Sequence, residues 1–192
     1  MSDPGPYVIG VSGGSGAPIA VAVLEALHAA QLPVALVISE GARKVLREEA
    51  TIDASALGRL ATHLYQDDDL AAPISSGSYP TRGMAVVPCS GTSVARIALG
   101  LADTLLTRAA QVHLKEHRPL VLMPRESPLS PILLGHMQRL AELGVVILAP
   151  SPAYYLQPKR IEDVTAYLAG KVLDHLHVPH ELYHGWKVER AA

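Results

Sequence analysis

The feature that most constrains the fold is a regular alternation of short apolar runs with segments of helical periodicity. Five runs have the length and composition of buried strands, and a sixth, THLYQ at 62–66, is a shorter and weaker candidate. The five are YVIGV (7–11), PVALVIS (33–39), MAVVP (84–88), PLVLMP (119–124) and VVILAP (145–150). Strand and helix units that repeat in this way predict an α/β fold with an open, mostly parallel sheet, covered by helices on both faces in a Rossmann-like or flavodoxin-like arrangement.

The intervening segments predict the helices and a single domain. Helical patterns cover 18–30, 40–50, 130–144 and 161–178, and residues 89–117 form one or two helices with a break near Gly100. A chain of 192 residues is long enough for one well-cored domain and short for two. We therefore expect one domain over residues 1–178 and a polar tail, 179–192, that docks on a neighbouring subunit.

Composition narrows the partners and the compartment. The formal net charge is −2 with no block of like charge, which argues against a nucleic-acid surface. One cysteine excludes an intrachain disulfide, and no uncharged apolar stretch is long enough to span a bilayer. We expect a cytoplasmic protein with no membrane partner. The nine histidines show no compact ligand spacing, so no metal is assigned.

The first strand runs into VSGGSGAP, a glycine-rich turn that opens a helix. Free backbone N–H groups at such a helix N-terminus favour a phosphate, and Gly13, Gly14 and Gly16 would let it approach closely. The stretch is neither G-x-G-x-x-G nor a P-loop, and a tight turn between strand and helix needs small residues in any case.

Polar residues also follow the other strands. Ser39 follows the second run, residues 89–93 (CSGTS) follow MAVVP, residues 125–127 (RES) follow PLVLMP, and residues 151–155 (SPAYY) follow VVILAP. Any one serine here could be an ordinary helix N-cap. Five polar turns at one sheet edge, where parallel sheets bind ligands, favour a nucleotide or a flavin.

The stretch ADTLLTRAAQVHLKEHRPLVLMPRESPLSPILLGHMQRLAELGVVILAPSPAYYLQP resembles the flavin prenyltransferase (UbiX) family, within the wider group of FMN-binding flavoproteins. The resemblance extends back through SGSYPTRGMAVVPCS to GVSGGSGAP and forward to VLDHL and Trp186. Cysteine decarboxylases of similar fold carry P-A-M-N where this chain has MPRESP, which separates the two groups.

The resemblance implies an enzyme that joins dimethylallyl phosphate to reduced FMN through N5 and C6 of the flavin, making the prenylated FMN used by UbiD-type decarboxylases. It implies an FMN site, a prenyl-phosphate site and a set of catalytic residues. The FMN residues are Gly13, Gly14, Ser15, Ser39, Ser90, Gly91, Thr92, Ser93, Arg108 and Arg125. The prenyl-phosphate residues are Lys115, Arg125, Tyr155, Lys171 and Trp186, and the catalytic residues are Ser15, Glu49, Lys115 and Glu126.

Several positions depart from the family pattern and keep alternatives open. The family usually has Arg where this chain has Lys171, and a lysine cannot hold phosphate in a bidentate manner. Gly91, Thr92 and Ser93 replace a Met-Lys-Thr turn. A carrier of FMN or prenylated FMN without transferase activity, or a thiol-decarboxylating relative, are the alternatives. The family is dodecameric, and the apolar loop LAAPISSGSYP with the Trp186 tail also predicts a symmetric homo-oligomer with shared active sites.

Overall fold

The computed structural model describes residues 4–49 and 53–185, and its centre is a six-stranded sheet. Every pair of neighbouring strands in this sheet is parallel. The strands are β1 Tyr7–Val11, β2 Val34–Ile38, β3 His63–Tyr65, β4 Gly83–Cys89, β5 Leu120–Pro124 and β6 Val146–Ile147. Their order is β3-β2-β1-β4-β5-β6, which confirms the predicted parallel α/β sheet.

Seven helices connect or follow the strands in the described part of the chain. They are α1 Ala17–Ala29, α2 Glu40–Glu49, α3 Ala54–Arg59, α4 Gly91–Ala98, α5 Leu105–Lys115, α6 Pro131–Glu142 and α7 Ile161–His175. Single 3-10 turns lie at Pro73–Ser75 and Tyr154–Leu156. The region in which the sequence predicted one or two helices holds two, α4 and α5, and Gly100 in the loop between them has a φ of 76°.

The helices cover the sheet on both faces because successive strand residues point to opposite sides. Ile9 of β1 belongs to a core cluster with Leu24 of α1 and Leu173 of α7. Its neighbour Val8 belongs to a second cluster, with Leu106 of α5. The central strands are therefore buried from both sides, which explains why they read as continuous apolar runs rather than as alternating ones.

The strand order places a crevice between β1 and β4. From β1 the chain moves outward to β2 and β3, and from β4 it moves outward in the other direction to β5 and β6. At such a reversal the connections leave on opposite sides of the sheet, and ligands bind beyond the carboxyl ends of the strands. The turns after β1, β2 and β4 meet there.

Three local features differ from the sequence-based expectations. The short helix α3 was not predicted, although Asp53 caps it by accepting a hydrogen bond from the backbone N–H of Ala56 at 2.7 Å. Strand β6 is only two residues long. In the loop LAAPISSGSYP, Ile74 is buried in the chain's own core, so it is not available to a subunit interface, whereas Leu70 at the start of the loop is exposed.

Among the described residues, no helix is both long enough and apolar enough to cross a bilayer.

Candidate functional site

A cavity of about 700 Å³ opens at the carboxyl edge of β1, β2 and β4. Its volume lies within the range of ordinary cofactor pockets. Half of the ten residues predicted to bind the flavin line it: Gly13, Ser39, Ser90, Thr92 and Ser93. Side chains that lie far apart in the sequence meet here because parallel strands all end at the same edge.

Two serines in the cavity wall begin helices. The Ser39 hydroxyl accepts from the backbone N–H of Ala42 at 3.1 Å, at the start of α2. At the start of α4, the Ser90 hydroxyl accepts from the backbone N–H of Ser93 at 3.2 Å. The hydroxyls of Ser90 and Ser93 also form a hydrogen bond with each other, at 3.0 Å. Both serines are therefore N-caps, and both helices direct the positive end of their dipoles toward the cavity.

The turn after β1 is held against the residues that follow β4 and β2 by a serine side chain and by a close backbone approach. Buried Ser12, the first residue after β1, accepts from the backbone N–H of Ser90 at 2.7 Å and donates to the Pro88 carbonyl. A Cβ added to Gly13 would lie 3.2 Å from the carbonyl carbon of Gly41. Gly13 thus has a packing role, because it lets the turn rest on the first residues of α2.

The two backbone N–H groups at the start of α1, which the sequence analysis offered to a phosphate, already have a partner in the structure. Glu49, at the end of α2, accepts from the backbone N–H of Gly16 at 2.8 Å and from that of Ala17 at 3.3 Å. The residue after Ala17 is a proline, which has no N–H. A carboxylate already occupies the position that the glycine-rich turn seemed shaped to give to a phosphate.

Two other predicted site residues, Ser15 and Arg125, influence the Glu49 carboxylate. Burial opposes ionisation of Glu49, but hydrogen bonds from the Ser15 hydroxyl and from two backbone N–H groups outweigh it. The charge of Arg125 acts in the same direction, and the pKa of Glu49 lies below its ordinary value of 4.5. At neutral pH Glu49 is therefore an anion that is hydrogen-bonded to the Ser15 hydroxyl.

Glu126 lines a second, smaller cavity of about 410 Å³. Thr92 lines both cavities, so the two are neighbours across the start of α4. The walls of the smaller one combine apolar side chains, Ile132 and Leu133, with Glu126 and His136. A carboxylate in the wall of such a pocket can exchange a proton with a molecule that binds within hydrogen-bond reach.

Tyr155 lines a third cavity, of about 660 Å³, between the 3-10 turn Tyr154–Leu156, α7 and residues 181–185. Close to it, Lys171 donates to Asp174 at 2.8 Å and lies 3.4 Å from the Tyr183 hydroxyl. His180 also bonds Asp174, at 3.0 Å. The first residues of the tail, 180–183, therefore contact α7 of their own chain.

Within one chain, Lys115 lies far from the large cavity. The N-terminal residues of α5 line the cavity, whereas Lys115 is the last residue of that helix, about 15 Å away along its axis. There it forms an ion pair with Glu116. Arg108, on the same helix, donates to the Ser75 carbonyl at 2.9 Å. Trp186 lies outside the described residues.

Charged residues that the sequence analysis missed complete the large cavity. Arg43, Arg96, Asp67 and Asp103 all line it. Asp67 accepts from the N–H of Leu106 at 2.9 Å and so caps α5; burial raises its pKa, and this hydrogen bond partly offsets the effect. Arg96 lies 3.6 Å from Asp103. The aspartate run after β3 was visible in the sequence, but only the fold shows that it meets the start of α5.

The reactivity of the single cysteine and the possible metal ligands also bear on the chemistry. Burial raises the pKa of the Cys89 thiol to about 12, so this cysteine is not a nucleophile at neutral pH. Within residues 4–49 and 53–185, no three His, Cys, Asp or Glu side chains cluster in a way that suits a metal ion.

Comparison with known proteins places this geometry in a family. A flavin prenyltransferase UbiX from Thermoplasma acidophilum is 46% identical over 179 residues, covering 93% of this chain and 98% of the relative. A crystal structure of a UbiX protein in complex with FMN and dimethylallyl pyrophosphate superposes with a TM-score of 0.93 at 37% identity, covering 96% of this chain and 98% of that one. A dodecameric FMN-dependent UbiX-like decarboxylase from Escherichia coli superposes with a TM-score of 0.91 at 40% identity, covering 95% and 100% of the two chains. A model described as Flavoprotein matches residues 2–172, and the chain belongs to that family.

Proposed function

We propose that this protein is a flavin prenyltransferase that joins dimethylallyl phosphate to reduced FMN. The observation that carries the proposal is that Glu49 bonds Ser15, on the turn that contains Gly13, and carries a carboxylate whose charge is favoured by Arg125. A carboxylate bonded to a hydroxyl and influenced by an arginine charge is suited to move protons and to balance developing charge. A protein that only stores or delivers a flavin has no need of such a group.

The large cavity fits a flavin mononucleotide. Its serine and threonine hydroxyls and the starts of α2 and α4 provide donors for a phosphate and a sugar-like chain. We assign Gly13, Gly14, Ser15 and Ser39 to this site, together with residues 90–93, Arg108 and Arg125. The bound flavin supplies the nucleophilic nitrogen and the ring carbon that are alkylated.

The reaction places two demands on the protein. In the first bond formation, the C–O bond of the prenyl phosphate breaks, phosphate leaves with the electron pair, and N5 bonds to the prenyl carbon and loses its proton. Arg125 stabilises the charge that develops on the leaving phosphate. In the ring closure, the prenyl alkene gains a proton while C6 bonds to it and loses one. Glu49 and Glu126 are the groups we assign to these proton transfers.

A shared active site accounts for the position of Lys115. Since this side chain lies about a helix length from the cavity of its own chain, a role in binding the prenyl phosphate requires a neighbouring subunit to supply it. We propose the same origin for Tyr155 and Lys171, and for Trp186 in the tail. Large apolar side chains are exposed on this chain, including Ile132 at 76%, Tyr154 at 79% and Ile161 at 72%. These exposed side chains support a homo-oligomer, and we propose the dodecamer that the family resemblance implies; light scattering would detect it, and a fully active monomer would contradict it.

The product and the compartment complete the proposal. Prenylated FMN made here would pass to a UbiD-like decarboxylase. We place the protein in the cytoplasm, with one buried, unreactive cysteine and no disulfide.

Phosphate release tests the proposal against a carrier function. The protein is incubated without oxygen with reduced FMN and dimethylallyl phosphate, and inorganic phosphate is measured over time. A transferase releases one phosphate for each FMN consumed. Binding of FMN without any phosphate release would favour the carrier.

A further inference from the structure

We propose that Arg43 binds the phosphate of FMN at the starts of α2 and α4, and that this cation makes the site prefer FMN to riboflavin. The inference rests on the proposed FMN substrate and names the part of the large cavity that recognises its phosphate. It assigns to Arg43 a role that the glycine-rich turn suggested for α1.

The first step is that α1 is closed to an anion. The two N–H groups at its start, those of Gly16 and Ala17, already donate to the Glu49 carboxylate. That carboxylate is ionised at neutral pH, because its pKa is lowered. A phosphate placed there would lose these donors to Glu49 and be repelled by its charge.

The second step is that Arg43 is a cation with unused capacity. It lies in the first turn of α2, lines the cavity and donates to the Gln66 side chain at 3.3 Å. In residues 4–49 and 53–185, no carboxylate lies within 4.0 Å of its guanidinium. Gln66 fixes one side of the group, so the remaining N–H donors are available for a bidentate contact with a phosphate.

The third step concerns the other charges in the cavity wall, which are nearly all engaged. Glu40 pairs with Lys44 at 3.0 Å. Asp67 caps α5, and Asp103 pairs with Arg96. The remaining carboxylate, Asp68, is exposed to solvent. Of the two arginines in the cavity wall, Arg43 is thus the one that has no carboxylate partner among the described residues.

The fourth step is that backbone donors surround the same region. Ser39 and Ser90 each satisfy one N–H group of the helices they begin, those of Ala42 and Ser93. Helices leave further N–H groups of the first turn without an intrahelical partner. Gly41 and Thr92 carry such groups and line the cavity. An anion there would meet a guanidinium and the positive ends of two helices.

The test compares FMN with riboflavin, which differs from it only by the phosphate. Dissociation constants are measured by flavin fluorescence quenching for wild type, Arg43→Gln and Arg43→Lys. The matched control is Arg47→Gln, which removes the same charge from an exposed position one turn further along α2. Thermal unfolding and the riboflavin affinity report whether each variant remains folded.

We expect Arg43→Gln to weaken FMN binding about 10-fold to 100-fold, the range typical of a lost charged hydrogen bond, and to leave riboflavin binding unchanged. Arg43→Lys should lie between wild type and Arg43→Gln, and Arg47→Gln should match wild type. Equal weakening for both ligands would overturn the proposal, since Arg43 would then only shape the cavity. Unchanged FMN affinity in Arg43→Gln would overturn it and leave the proposed transferase intact. A wild-type protein that binds FMN no better than riboflavin would contradict both.

Discussion

Replacing Glu49 by Gln separates two roles that the structure gives to one carboxylate. The group stabilises the start of α1 through the N–H groups of Gly16 and Ala17, and it is also the proposed proton acceptor. A carboxylate at an exposed helix N-terminus contributes about 0.3 to 1 kcal/mol. For a chain of this length, 1 kcal/mol shifts the melting temperature by roughly 2 to 4 °C, so we expect Glu49→Gln to lower it by about 1 to 4 °C. Loss of a general base should slow adduct formation about 10²-fold to 10⁴-fold.

The two effects are measured in different experiments and have different pH dependences. Because the pKa of Glu49 is lowered in the folded protein, its stabilisation is present above pH 4.5 and is lost as the pH falls through the folded value. Wild type and Glu49→Gln should therefore converge in melting temperature in acid. Single-turnover adduct formation at pH 7 gives the rate, with Glu48→Gln, an exposed neighbour on α2, as the control. A rate equal to wild type, together with the lower melting temperature, would refute the catalytic role and leave only the cap.

Three other predictions follow from the site and from the core. Glu126→Gln should keep its FMN affinity but form the cyclised adduct about 10²-fold to 10⁴-fold more slowly, and an unchanged single-turnover rate would remove Glu126 from the mechanism. Lys171→Ala should raise the KM for dimethylallyl phosphate about 10-fold or more while Lys171→Arg preserves it; equal KM values for Lys171→Ala and wild type would show that Lys171 serves only its ion pair with Asp174. Burial lowers the pKa of His113 to about 4, so the folded state resists protonation and stability should fall as the pH drops from about 6.5 toward 4. Chemical denaturation across this range should show a flatter pH dependence for His113→Gln, and identical slopes would contradict this account.

The sequence predicts the fold well where an apolar run in the sequence corresponds to a strand that is buried on both faces. YVIGV is apolar throughout, and β1 occupies Tyr7–Val11 with every residue buried. Ser39 and Ser90 each follow such a run, and the parallel topology alone brings them to one edge of the sheet. Their convergence at the cavity needed no information beyond the order of elements.

Contacts that depend on how helices pack are not available from local pattern. Glu49 reaches Gly16 across 33 residues because α2 packs beside α1 at a particular angle and depth. Arg43 lines the cavity for the same reason. Lys115 and Arg125 show that closeness in the sequence does not give closeness within one folded chain. They stand only ten positions apart, yet α5 ends at one edge of the sheet and β5 carries the chain about 16 Å to the other before Arg125 appears.

The mass of the flavin after reaction tests the central claim most directly. The purified protein is incubated without oxygen with reduced FMN and dimethylallyl phosphate, and the released flavin is analysed by mass spectrometry. The account predicts a flavin heavier than FMN by one five-carbon prenyl unit, formed only when both the protein and the donor are present. Recovery of unmodified FMN from a protein that binds it would contradict the account.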